Sequence, residues 1–164
     1  MKTKQRLIVI VFTLVFITVT FFFVKAKNNR IMSEEERRSL SPEEVLREFF
    51  SSWADKNQHD MELFLEQRNH GILWNLRNQK SLQLITLENT TNNQVESDLN
   101  SGDGNMIKEA AALGYQIETF VATFEQTFYC ERDSNWSDGE RTEMYILIKK
   151  TESSPWEVYA YGFG

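Results

Sequence analysis

Cysteine is nearly missing. Cys130 stands alone in 164 residues, so no disulfide can form within the chain and its fold has to be held by its core. No cysteine follows the N-terminal apolar run, which removes the usual site of a bacterial lipid anchor. Histidine is almost as scarce: His59 and His70 lie apart with no cysteine pair near them, which is not the converging set of ligands that zinc needs. Gly102 and Gly104 lack the Lys-Ser/Thr that follows them in a nucleotide loop. The stretch Asp133 to Glu140 has some of the oxygens of a calcium loop, but its glycine is displaced and the distant bidentate Glu is missing, so it reads as a hairpin turn. No cofactor and no metal is expected. Basic residues are short as well: all 24 acidic residues follow Ala26, whereas four of the 18 basic ones precede it. Such a surface repels phosphate backbones, and nucleic acid is not an expected partner.

What is present is aromatic. Twelve Phe, five Tyr and four Trp are difficult to leave in water and imply a folded core. About 125 residues beyond the N-terminal tail suit one layered domain. Leu7 to Val24 is an uncharged run just long enough to cross a hydrocarbon layer. It predicts a membrane anchor over residues 1–26, with cleavage after Ala26 and secretion as the alternative. Basic residues flank it on both sides, so the positive-residue rule does not orient it. The order of short basic start, apolar run and polar domain favours residues 41–164 outside the cytoplasm of a single-pass chain. Residues 27–40 are polar, without apolar periodicity, and read as a stalk.

The domain starts at Ser41-Pro42-Glu43-Glu44, which joins an N-cap hydroxyl, a proline at the first helical position and a capping-box acid. Val45, Leu46, Phe49, Phe50 and Trp53 follow at helical spacing. Asp60 is placed to cap a second helix carrying Met61, Leu63, Phe64 and Leu65. A strand follows Ser81, the polar stretch from Asn89 to Asn105 reads as a long loop, and Ile107 to Leu113 gives one or two helical turns. Tyr115 to Cys130, Thr142 to Lys150 and Trp156 to Tyr161 alternate as strands, with Asp138-Gly139 turning the first into the second. Helices first and then an antiparallel meander make an α+β domain with helices on one sheet face.

The Ser41 to Val45 start, Phe49, Phe50 and Trp53, the Leu84-Ile85 strand, the Phe120 to Phe124 strand and the closing Trp156-Glu157-Val158-Tyr159 with Gly162 and Gly164 resemble the nuclear transport factor 2-like superfamily. More narrowly, the chain resembles an uncharacterised Gram-positive membrane-anchored or lipoprotein-like family, the domain of unknown function catalogued as 4829. The resemblance covers residues 40–164. It implies a cone: a curved sheet wrapped around the first helix, with a cavity between them. Since unrelated functions share such folds, it names no ligand.

No catalytic constellation is legible, so the leading expectation is a non-enzymatic cell-envelope domain that binds a protein partner or a small ligand. A small hydrolase or isomerase, with an ionisable residue such as Asp60, Glu118 or His70 in the cavity, is the alternative. Phe49, Phe50, Trp53, Phe120, Phe124 and Phe128 are candidates for a pocket wall, and Tyr115, Tyr145 and Tyr159 for its rim. Trp136 is a large aromatic within a polar turn. With Asp133, Asp138 and Glu140 beside it, it is the candidate contact for a basic protein partner. Cys130 is expected to be structural.

Overall fold

Helix formation is strongest where the sequence supplies both a cap and an apolar stripe, and Ser41 begins such a segment. In a computed structural model, which describes residues 32–72, 74–100, 106–130 and 137–162, the Ser41 hydroxyl accepts from the Glu44 N–H. The Glu44 carboxylate in turn takes the Ser41 N–H at 2.7 Å. These backbone and side-chain bonds from Ser41 hold the Glu44 carboxyl below its ordinary range. The element order is α1 (Glu34–Ser39), α2 (Pro42–Ala54), α3 (Gln58–Glu62), a 3-10 turn (Gln67–Asn69), β1 (Gln79–Asn89), α4 (Thr91–Asn100), α5 (Met106–Ala112), β2 (Gln116–Phe128), β3 (Gly139–Lys149) and β4 (Trp156–Gly162).

The four strands form one antiparallel meander in the order β1-β2-β3-β4. Side chains alternate between its faces. On one face Phe120, Ala122, Phe124 and Tyr145 meet Phe49, Phe50 and Trp53 of α2, all of them buried. On the other, Ile146, Ile148 and Ala160 join Tyr159 and, from α5, Ile107 and Ala110, with Val95 of α4 at the margin. The sheet is thus covered on both faces near the start of β2, where helices on one face were expected. The β4 edge is closed by the chain after α3: Leu65 bridges Val158 in parallel, and Val158 N–H donates to the Phe64 carbonyl at 2.8 Å. The β1 edge carries two register shifts, at Lys80 and Ile85, and such irregularities bend an edge away from further pairing.

Several expectations are corrected. The cone is not formed: β1 and β4 lie at opposite ends of an open four-stranded sheet. The single-pass membrane topology is not supported, since among the described residues no helix is long and apolar enough to cross a membrane. The run that prompted it, Leu7 to Val24, lies outside the described residues, and the fold supplies neither an anchor nor a placement outside the cytoplasm. Part of the expected stalk is the helix α1, which buries nothing and is held by its own Ser33–Glu36 capping box and by Arg37 donating to the Leu63 carbonyl at 2.6 Å. The cap of α3 is Asn57, whose side chain accepts from the Asp60 N–H. The loop expected after Asn89 is largely α4.

Candidate functional site

The large rings that α2 places on the sheet continue beyond the helix into a run of aromatic contacts. Trp53 lies 4.9 Å from Trp74 between ring centroids, Trp74 5.0 Å from Tyr161, and Tyr161 stacks on Tyr145 at 6.1 Å. Tyr161 and Tyr145 are directly paired across β4 and β3. Tyr145 is fully buried, whereas Tyr161 is only partly so.

Glu143 precedes Tyr145 by two residues, so the pleat puts both on the α2 face, where Glu143 pairs with Ala122 of β2. Its carboxylate accepts the Tyr145 hydroxyl at 3.3 Å. Removal from water pushes the Glu143 carboxyl above its ordinary range, against the opposing pull of the Tyr145 hydrogen bond and the nearby Arg141 charge. Burial and the Glu143 charge together push the Tyr145 phenol well above its ordinary range, so it keeps its proton at neutral pH. Burial and the same carboxylate also raise Tyr161. A strand acid in phase with buried residues, half-covered and bordered by rings, is therefore the centre of the candidate site.

The ionisable residues singled out in the sequence do not converge on it. Asp60 accepts the Asn57 amide at 2.6 Å beside the cap of α3. Glu118 accepts Asn89 at 2.7 Å and Thr91 at 3.3 Å, tying the start of α4 to β2. His70 donates from Nε2 to the Leu65 carbonyl at 3.0 Å, and His59 is exposed. Cys130 is exposed, not packed, with its backbone bonded to the side chain of Asn78. Among the described residues no group of acids, His or Cys is arranged to hold a metal ion.

Of the proposed partner contact, Asp133 and Trp136 lie outside the described residues. Asp138 accepts the Phe128 N–H at 2.7 Å, which makes its carboxylate part of the β2–β3 connection. Glu140 is exposed and pairs with Glu125 across the strands. The rings named as a pocket wall, Phe49, Phe50, Trp53, Phe120, Phe124 and Phe128, are core residues, and Tyr145, named for a rim, is fully buried. Glu143 was not singled out; its step of two from Tyr145 was the signal available. Tyr159 is buried on the other sheet face, under the Arg68 guanidinium at 3.5 Å from its ring centre.

A family model described as a domain of unknown function (DUF4829) matches residues 43–162, which takes in α2, the whole sheet and every residue of the aromatic site. No curated protein and no solved structure matches the chain.

Proposed function

The chain belongs to the DUF4829 family of domains of unknown function, and on that premise we propose that it is a non-enzymatic binding domain that takes a small organic ligand against Glu143 and Tyr161. The observation that carries this reading is the half-buried Glu143 carboxyl, raised by burial, bonded to the Tyr145 hydroxyl and close enough to Tyr161 for its charge to act there. A carboxyl held this way costs stability unless it serves a purpose, and perturbed groups of this kind concentrate at binding and catalytic sites. Tyr161, itself only partly buried, gives a ligand aromatic surface next to a strong hydrogen-bond acceptor.

Binding is preferred to catalysis because no nucleophile, histidine or second acid is placed beside the carboxyl among the described residues. The hydrogen-bond partner of Glu143 among the described residues is Tyr145, a phenol that burial keeps protonated.

A fragment screen by NMR tests the proposal. Fragments are expected to shift the Trp74 indole and the backbone amides of Glu143 and Tyr161 together. Fragments that gather elsewhere, or leave these signals unmoved, would reject the site.

A further inference from the structure

We propose that the ligand taken at Glu143 is an organic cation, an ammonium group carried on an apolar body; this rests on the reading of Glu143 as the binding site. The first argument is the missing counter-charge. Glu66, the other partly buried acid held in a network, has Arg68 and Lys150 each within 3.2 Å. Glu143 has no ion pair among the described residues, and its direct partner is the neutral Tyr145 hydroxyl. Arg141 acts on Glu143 through its charge but forms no ion pair with it; a carboxylate drawn from water without a contacting counter-ion is costly, and an ammonium group supplies that contact.

The second argument is the wall. The π-faces of Tyr and Trp carry negative potential and attract cations, most strongly where water is partly excluded. Tyr161 touches both Tyr145 and Trp74 and is partly exposed as a residue. The same chain already sets cations on rings twice, with Arg68 over Tyr159 at 3.5 Å and Lys56 over Tyr129 at 5.2 Å. An anion would meet both Glu143 and these ring faces with the wrong sign.

The groups facing Glu143 are few. Arg141 shares its strand and face, acts on it through its charge, and donates from Nη2 to the Ser137 carbonyl at 3.2 Å. Tyr145 and Tyr161 supply phenols from β3 and β4. From β2 come Ala122 and its neighbours Phe120 and Phe124, and from α2 the rings of Phe49, Phe50 and Trp53, none of them charged. Cation affinity therefore follows the ionisation of Glu143 and rises with pH through its elevated titration.

The test uses the full chain, titrated by calorimetry and tryptophan fluorescence with choline and phenethylammonium, with the neutral isostere 3,3-dimethyl-1-butanol, and with 3,3-dimethylbutyrate. The cations are expected to bind at least about tenfold tighter than the neutral isostere, in line with a desolvated cation–π and carboxylate contact. Glu143→Gln should erase that preference, bringing the cations down to the affinity that the same variant shows for the neutral isostere. Equal binding of the isostere, tighter binding of the butyrate, or no binding by either cation would each overturn the cation assignment. If neutral fragments still map to Glu143 and Tyr161 in those cases, the site stands and only the ligand class falls; if none does, the binding site itself is rejected.

Discussion

Gln79 and Gln126, both fully buried, hydrogen-bond to each other at 3.0 Å, and the Trp53 carbonyl decides which way round both amides lie. That carbonyl can only accept, so the Gln79 amide nitrogen faces it, at 3.1 Å. The Gln79 oxygen must then receive the Gln126 nitrogen. The last turn of α2 is thereby joined to β1 and β2 by a directed relay through the core.

Breaking the relay at its middle should cost more than at its end. Gln79→Leu leaves the Gln126 amide nitrogen without its acceptor and takes one donor from the Trp53 carbonyl, which keeps the Lys56 N–H at 3.0 Å, a loss of about 1–3 kcal/mol. Gln126→Leu strands the Gln79 oxygen but also removes the unpaired Gln126 Oε1, and should cost less. The double variant should lose less than the two single losses combined. Urea unfolding of the three proteins checks the order; equal single losses would show that the relay has no direction.

Trp53 is the keystone of the aromatic layer, 2% exposed and touching Phe49, Phe50, Trp74 and Phe124. Trp53→Ala should destabilise by about 3–5 kcal/mol through lost transfer energy and the cavity left behind. A change below about 1 kcal/mol in the same assay would mean that the surrounding rings collapse into the space.

Glu143 should oppose stability at neutral pH. Its folded-state titration lies above the ordinary value of 4.5 because burial favours the neutral acid. The folded chain therefore holds the proton more tightly, and that stabilisation, complete below the ordinary value, is lost as pH rises through the raised one. Glu143→Gln should accordingly match the parent in acid and melt at a higher temperature near pH 7. A variant that melts lower near pH 7 would contradict the desolvation account.

Lys150 bonds Glu66 at 3.2 Å and Glu157 at 3.0 Å. Burial works against its charge, but the bonds to Glu157 and Glu66 outweigh that and raise it. Burial likewise works to raise Glu66, and the Arg68 N–H together with Lys150 and the Arg68 charge brings it below its ordinary range. The lowered acid contributes stability above its unfolded titration and loses it as pH falls; the raised lysine contributes below its own and loses it in strong base. The ammonium is about a third exposed, so Lys150→Met should cost only about 1 kcal/mol near pH 7. The loss should vanish once the acids are protonated, and a pH series of denaturation curves would expose a loss that persists in acid.

The sequence made visible those elements that carry their own apolar period. Val45, Leu46, Phe49, Phe50 and Trp53 repeat at helical spacing, and every one is buried; the alternation in β2, β3 and β4 gave the meander. What escaped were helices without a stripe. Inside α1 the Glu34–Arg38 pair stands in for a core face. The start of α4, in a run of Thr and Asn, is fixed by Asn89 accepting the Thr91 N–H at 3.0 Å and by Thr91 accepting the Thr119 N–H at 2.9 Å. The second contact joins residues far apart in sequence, in a stretch whose composition alone reads as loop. Glu143 was hidden for a related reason: a single acid in an alternating strand looks solvent-facing until the phase of Tyr145 is known.

Four consecutive residues of β3, Tyr145 to Ile148, are buried because rings cover one face of the strand and α5 with its neighbours the other. Their amides are bonded between β2 and β4, with no solvent side from which to fray. Hydrogen exchange there has to wait for the whole domain to open, whereas β1, shifted in register at Lys80 and Ile85, can open by itself. The strand that carries Glu143 is thus expected to exchange slowly among the described residues, so that the site rests on a part of the sheet that opens last.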